Sequence, residues 1–536
     1  MNKKIYFASI VKEFSKIRAS RIYILGEDNN LIETDIGHLK DIDGYIFFHD
    51  SPLLIDEFIG SNIQFPSNIA DIGLLINTIE VKESKEASER SKDIVRLFGT
   101  LPSEGEMQVS KYLKAFWGDD EAREDYQALT AAIVYFLSMA RDQVLGHLNN
   151  PDFSLAVKRF FDLEQKIYFI FSELSVSGIL YDKNIVKLKR STLEKELYTS
   201  IKLLSDNSSL PMVIPNNNDK LKVLKEQTQG INFSSDSMSQ IDSQIRLLAE
   251  TNQTIETLHK VVKASSNLYI FKKISTSSNT INPIIDVVGT TTGRILLKDP
   301  ELQNISKRHR GILIPGDGAV FIYADYDQFE AGVLGSVSDC KELVKLYNGG
   351  DVYEALSADV YGDTSHRKFA KRIFLSYMYG MERTTLGRVS EAKQRGSKER
   401  LVTFLDSFNS IDEWKEEIYK GVIQTGLVDN GFGGARKFNV KNGSLSDKQK
   451  RAIISQKIQG SASHIFKLAI LNFYEAVGNK GRIALPMHDA LLIVAEAKLE
   501  IEVGNILLES MSQAFKSVCP SLLPKVSKSN FFSLDN

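Results

Sequence analysis

The sequence predicts an α/β multidomain protein, and three observations carry that prediction. The chain has 536 residues, enough for three or four domains at roughly 150 residues each. Residues 1–80 alternate short β-like runs with helical stretches. Two later apolar strand regions, 312–337 and 482–496, flank a mostly helical stretch and can share one sheet with that stretch inserted between them. Hydrophobic residues make up 43% and charged residues 25%, the balance of a globular chain, so wholesale disorder is excluded.

Taken in order, Lys4–Ile10, Arg21–Leu25 and Gly44–Phe48 read as strands because β-branched and aromatic residues dominate them. Residues 81–150 read as helices, broken near Gly99–Pro102 and Trp117–Asp120. A long helix opens at Asp152 and runs to about Ser177, where Gly178 stops it, so a domain boundary is expected near 150. Residues 183–275 read as long helices interrupted by a polar loop from Ser205 to Asp219, an arm-like element. From Asn282 onward the strand regions begin.

Two cysteines, Cys340 and Cys519, exclude a disulfide framework and a Cys-rich zinc site, and point to a reducing compartment. No stretch approaches the roughly 18 uninterrupted apolar residues of a membrane span, so no membrane association and a cytoplasmic or nucleoid location are expected. The net charge of −2 hides an asymmetry. Residues 1–150 hold 16 basic against 24 acidic side chains, while the rest carries a net +6. Within the arm, residues 183–273 hold 14 basic against 9 acidic. From charge alone that is more often a solvated helical face than a binding surface.

Chemistry concentrates in three segments. Ile322-Tyr-Ala-Asp325-Tyr-Asp-Gln-Phe-Glu330 is an apolar strand ending in an acidic cluster, and Ile483 to Val494 reads as a hairpin with His488-Asp489 at its tip. Each alone is more often a polar turn. Together, two carboxylates on neighbouring strands can hold two Mg²⁺ ions about 3.5–4 Å apart for in-line phosphoryl transfer. Between them, Arg367, Lys371, Leu375 and Tyr379 recur every fourth residue, which puts two cations, an apolar and an aromatic side chain on one helix face. Like charges at that spacing repel by roughly 0.2–0.5 kcal/mol, so the pair makes sense facing an anion such as a triphosphate.

The ordered series Thr291-Thr-Gly-Arg294, Asp299 through Gln303-Asn304, Asp325 through Glu330, Arg367 with Lys371 and Tyr379-Gly380, Gln459-Gly460-Ser-Ala and His488-Asp489 resembles the motifs of family A DNA polymerases, the DNA polymerase I group. The resemblance covers residues 160–536. It implies a right-hand polymerase fold with a helical thumb and connecting helix at 151–281, palm at 282–342 and 482–536, and fingers with the fingers–palm connection at 343–481. The implied partners are primer-template DNA and dNTPs, the implied cofactor is Mg²⁺ as two ions, and a replisome or processivity protein is a further expected partner of an expected monomer.

Carried over residue by residue, Asp325, Tyr326 and Asp489 would hold the metals, with Asp325, Asp489 and Lys371 catalytic. Arg367, Lys371, Tyr379, Glu330, Gln328, Leu375 and Tyr353 would bind the nucleotide. Glu330 with Tyr379 would form the gate against a ribose 2′-hydroxyl. Arg294, Gln303, Asn304, Arg451, Gln459 and His488 would touch DNA. The basic arm becomes the thumb that grips the duplex backbone.

Several positions depart from the family pattern. Leu375 stands where Phe or Tyr is usual, Ala490 where Glu follows the catalytic Asp, Ala331-Gly332 where Leu-Arg is usual, and Tyr353 where His commonly contacts phosphate. More faintly, Tyr45 through Leu54 and Asn68 through Leu75 resemble the middle of an RNase H-like 3′–5′ exonuclease domain. The opening strand has no Asp-x-Glu, and Leu54 and Met139 stand where further Asp residues belong. A reduced remnant at 1–150, without proofreading and with no 5′–3′ nuclease domain before it, is the expectation.

The expected function is thus template-directed DNA synthesis in replication or repair of bacterial, phage or mobile-element DNA, compactness and Asn/Lys/Ser/Ile-rich usage leaning toward a phage or mobile replicon. Two alternatives stand beside it: a single-subunit RNA polymerase-like enzyme, disfavoured by Glu330, and a catalytically impaired DNA-binding replisome scaffold, motivated by Tyr353, Leu375 and Ala490.

Overall fold

The computed structural model describes residues 4–11, 21–26, 28–49, 52–61, 63–79, 98–116, 125–228 and 238–532. The expected helix break at Trp117–Asp120 lies outside them. The chain forms two compact units, one of residues 1–178, 282–296 and 429–437, the other of 179–281, 297–428 and 438–536.

The first unit is built on a five-stranded mixed sheet in the order β3-β2-β1-β4-β5. Strand β1 (Ile5–Val11) pairs antiparallel with β2 (Arg21–Leu25), which pairs antiparallel with β3 (Leu31–Thr34); on its other side β1 pairs parallel with β4 (Tyr45–Phe48), and β4 with β5 (Ile69–Asp71). The central strands are apolar on both faces because both are covered, whereas the edge strand β3 is open to water. Helices α1 (Ser103–Phe116) and α2 (Tyr126–Asn149) pack on this sheet. Among the described residues α2 alone is long and apolar enough to cross a membrane. Its Leu129, Ile133, Phe136, Leu137 and Val144 are instead buried in the unit at helical spacing.

The expected long helix after residue 150 is present, and it interrupts itself. Ser154–Arg159 is α-helical, Phe160–Glu164 is a π turn, and α3 (Gln165–Ser177) resumes the α register until Gly178 at φ +66° ends it. A π turn brings residues five apart into line, and Arg159 and Glu164 use that spacing for a buried ion pair, Nη2 to Oε1 at 2.5 Å. Phe160 and Phe161 pack on Phe47 of β4, with ring centroids 6.1 and 6.5 Å away. The expected boundary near 150 therefore falls inside the first unit.

In the second unit the two strand regions do share one sheet. Its order is β7-β8-β6-β9, from β7 (Gly481–Met487), β8 (Ala490–Glu496), β6 (Ala319–Tyr326) and β9 (Val526–Lys528), all antiparallel. Ile322, Leu491, Leu492 and Ile493 are buried, each contributing roughly 1.5–3 kcal/mol by leaving water. Only part of 312–337 is strand. After Tyr326 the chain turns through Gln328 at φ +56° into helix α4 (Phe329–Val337). That helix is short, apolar and buried nearly all round, so its sequence lacks the polar face that would mark it. Gly332 lies against the Tyr347 ring, where a β-carbon would come within 2.9 Å.

The arm leaves the unit at a short pairing of Ile179 and Leu180 with Ile281 and Thr280. It consists of four helices, Lys183–Asp206, Asn217–Gln227, Met238–Leu248 and Gln253–Lys273, the first and last packed together. Its far end meets two further helices of the same unit. Arg372 on helix α6 (Arg367–Met378) donates to the Arg246 carbonyl at 2.9 Å and pairs with Glu250 at 3.0 Å. Lys393 on helix α7 (Arg383–Lys393) lies 3.6 Å from the same carboxylate. The remaining helices used below are α5 (Val352–Tyr361), before α6, and α8 (Asp447–Val477) and α9 (Glu500–Val518), which pack on each other.

Candidate active site

Sheet register brings the two strand-borne aspartates together. Asp325 pairs with Ala490 across β6 and β8, so Asp489, the residue before Ala490 at the hairpin tip, is its neighbour. The tip is tight: His488 adopts φ +64°, and the Asp489 N–H donates to the Met487 carbonyl at 2.9 Å. Burial, and then the negative charge of Asp489, push the Asp325 carboxyl up to about 7, against the opposing charge of Lys371. Its buried Oδ1 has no hydrogen-bond partner among the described residues. Two close carboxylates, one of them under-satisfied, are a donor set for a hard divalent cation.

Among the described residues no group of three or more His, Cys, Asp or Glu forms a metal cage. A cation here would complete its shell with main-chain oxygen, water and substrate phosphate, as Mg²⁺ commonly does. Tyr326 can offer no side-chain ligand. Its ring stacks on Phe329 with centroids 4.3 Å apart, its hydroxyl donates to the Met511 carbonyl at 2.7 Å, and burial holds the phenol well above its usual range. Only the Tyr326 carbonyl remains for a cation.

Helix α6 presents Arg367 and the exposed Lys371 one turn apart. Beneath both lies the ring of Tyr353, 5.7 Å from each cationic group. Tyr353 was expected among the nucleotide-binding residues, at a position where His commonly contacts phosphate. It is instead 1% exposed, and its ring acts as a platform for the two cations that face outward. Its phenol is held far above the usual range by burial and then by the charge of Glu330, which puts Glu330, in the first turn of α4, beside this cluster. Gln328 is also turned inward: its Oε1 accepts from the Val352 N–H at 2.7 Å, so it supports the start of α5 rather than facing a nucleotide.

At the other end of α6, Tyr379 closes the helix before Gly380 at φ +90°, and its hydroxyl accepts from Nε2 of Gln459 on α8 at 3.1 Å. Leu375 is half-buried between these ends, and the stem of Arg451 lies beside Gly380. His488 is exposed at the hairpin tip. Gln303 is 5% exposed and accepts from the Leu297 N–H at 3.4 Å, a supporting position rather than a DNA-facing one. Asn304 is exposed and bonded to Glu301 at 2.9 Å. Arg294 belongs to the first unit, where its N–H donates to Thr290 Oγ1 at 2.9 Å in a tight turn.

Two contributors escape a reading of the sequence. Asp351 caps α5 and binds Arg367, Oδ2 to Nη2 at 2.5 Å; its signal was a Gly-Gly-Asp N-cap pattern beside Tyr353. Ser527 pairs with Asp325 from the other side, on a three-residue strand with no periodic signal.

In the first unit, the sheet positions that could carry carboxylates open onto an aromatic cluster. Ser9 on β1 hydrogen-bonds the Tyr112 hydroxyl at 2.6 Å, and Tyr112 stacks on Phe136 at 3.9 Å. His49 lies among Tyr112, Phe116 and Phe136, and burial lowers its pKa to about 4. Leu54 is fully buried, and Asp71 is occupied in accepting from the Leu74 N–H at 2.6 Å. Asp50 lies outside the described residues.

A family model described as DNA polymerase family A matches residues 181–526. A DNA polymerase I of Caldicellulosiruptor bescii is 28% identical over 264 residues, 46% of this chain and 31% of that protein. One of Lactococcus lactis subsp. cremoris is 22% identical over 493 residues, 86% of this chain and 54% of that protein. The matches thus span less than two thirds of these relatives' own length. The fold is similar to that of the POL domain of Pol1 from M. smegmatis, solved in complex with DNA primer-template and dNTP, with a TM-score of 0.71 at 16% identity, covering 98% of this chain and 95% of that one.

Proposed function

The chain belongs to DNA polymerase family A, and on that premise we propose that it is a template-directed, DNA-dependent DNA polymerase that extends a primer 3′ end with dNTPs. The observation that carries the reading is the sheet register that sets Asp489 beside Asp325, with the charge of Lys371 acting on the pair. The orphaned Oδ1 of Asp325 fits a divalent cation. Asp325, Asp489 and the Tyr326 carbonyl would hold two Mg²⁺ ions, which when bound supply charge neutralisation for phosphoryl transfer.

The chain's own groups do the positioning. Arg367 and Lys371 bind the triphosphate, and Lys371 stabilises the pyrophosphate that leaves as the primer 3′-hydroxyl attacks the α-phosphate. Leu375 offers the sugar an apolar surface without an aromatic stack. Glu330 with Tyr379 excludes a 2′-hydroxyl, so dNTPs are preferred. Gln459 reads the minor-groove edge of the new pair, where acceptors occur on every correct pair, and the same role is proposed for Arg294. His488, Arg451 and Asn304 contact primer or template. Residues 151–281 are proposed as thumb with its connecting helix, 282–342 and 482–536 as palm, and 343–481 as fingers with the fingers–palm connection.

Residues 1–150 are proposed to be an exonuclease remnant without proofreading. The Ser9, Tyr112, Phe136 and His49 cluster supports this, since apolar packing fills a place where such chemistry needs convergent carboxylates. The work proposed is replication or repair of bacterial, phage or mobile-element DNA in the cytoplasm.

Primer extension on a primed template with Mg²⁺ tests the reading, with dNTPs in one reaction, NTPs in another and Asp489→Ala as control. Extension with dNTPs alone, lost in the control, is expected. Duplex binding without extension by the wild-type chain would replace this reading with the scaffold.

A further inference from the structure

Arg367 is already occupied. Its Nε and Nη2 both donate to Asp351 Oδ2, at 3.1 and 2.5 Å, and Glu354 stands 3.7 Å off. The Asp351 carboxylate is itself immobilised: its other oxygen accepts from the N–H groups of Tyr353 and Glu354 at 2.8 and 2.9 Å, capping α5. The next N–H of that helix end, from Val352, goes to Gln328, three residues beyond Asp325. A run of hydrogen bonds therefore leads from the aspartate-bearing strand through Gln328 and the start of α5 to Asp351 and Arg367. The Arg367 side chain remains 39% exposed while that of Asp351 is 18% exposed, so an arriving anion can reach the guanidinium and draw it off while the capping carboxylate stays fixed.

We infer that Asp351 is the built-in counter-anion of the nucleotide site, a positioning residue that holds Arg367 until a triphosphate takes its place and so weakens nucleotide binding. The inference rests on the proposed role of Arg367 in binding the triphosphate. Two anions compete for one guanidinium, and the resident one also repels the newcomer. Because every dNTP carries the same triphosphate, the effect is uniform across bases. It falls on affinity rather than on the chemical step.

Asp351→Asn separates this role from capping, since Asn caps a helix as well as Asp does but carries no charge. Titration calorimetry with dATP, and with inorganic tripolyphosphate, is expected to show roughly threefold to fivefold tighter binding in the variant, the size of one partly exposed ion pair. In single-nucleotide extension KM falls by a similar factor for all four dNTPs with kcat unchanged. Melting temperature stays close to wild type for Asp351→Asn and falls for Asp351→Ala, which lacks the cap. Unchanged or weaker binding of both ligands by Asp351→Asn would overturn the inference. If wild-type binding of dATP and tripolyphosphate is absent, or is indifferent to Arg367→Ala, the proposed nucleotide site itself is wrong and the inference goes with it.

Discussion

The side-chain amide of Gln459 donates to the Tyr379 hydroxyl at 3.1 Å, tying the last turn of α6 to the middle of α8. The two residues are far apart in sequence and belong to different proposed tasks, one on the nucleotide side and one on the DNA side. A double-mutant cycle of Tyr379→Phe and Gln459→Ala is expected to give a coupling of about 1 kcal/mol, the usual net worth of such a bond, in urea unfolding. Additive effects of the two substitutions would mean that the bond contributes nothing to the fold.

Divalent metal binding should release protons. The Asp325 carboxyl is pushed up to about 7 by burial and by Asp489, so near neutral pH it is partly protonated, and a cation must drive that proton off. Calorimetric titration of Mg²⁺ or Mn²⁺ at pH 7 should give an apparent enthalpy that changes with the ionisation enthalpy of the buffer. Asp325→Asn should weaken binding and remove that dependence. A buffer-independent enthalpy in the wild type would contradict the geometry of the pair.

Acid sensitivity of the first unit is expected from His49. Burial depresses its pKa from the usual 6.5 to about 4. A base depressed in the folded state contributes stability that is complete above pH 6.5 and is lost as pH falls toward 4, because the unfolded chain takes up the proton first. At 1.36 kcal/mol per pH unit the loss amounts to at most about 3–4 kcal/mol. His259 and His309 in the second unit are lowered to about 4 in the same way. Thermal melts between pH 7 and 4 should therefore flatten partly, not wholly, in His49→Leu.

The buried pair of Arg159 and Glu164 gives a sharper test of the π turn. Glu164 is fully buried and Arg159 nearly so. Glu164→Gln leaves a buried guanidinium without its charge partner, which costs about 3–5 kcal/mol. Replacing both by Met is expected to recover most of that loss. Failure of the double variant to recover would mean that the pair is needed to hold the π register.

What the sequence made legible follows from the range of the forces involved. The Asp325 strand, the His488-Asp489 hairpin and the Arg367–Lys371–Tyr379 helix face are local patterns of period two or four, and the structure keeps all three. Helix Phe329–Val337 is hidden within the β-rich stretch 312–337 because burial on every side erases its polar face. The inward turn of Tyr353 and Gln328 and the grip of Asp351 on Arg367 depend on how α5 packs against α6 and on the loop after β6. Only tertiary packing specifies those. The same holds for β9, whose Val-Ser-Lys carries no periodicity and finds its place through the sheet.

That last strand has a consequence for the timing of synthesis. Asp325 lies between Ala490 on one side and Ser527 on the other, and in a pleated strand a slip of one residue would turn its carboxylate to the opposite face. A ribosome that has made the arm, the cation-bearing helices and the hairpin still has not made the second neighbour of that strand. Chains interrupted before residue 526 leave this edge of β6 unpaired. An incomplete translation product thus carries Asp325, Asp489 and the Arg367 helix while lacking one of the two neighbours that hold the Asp325 strand in register.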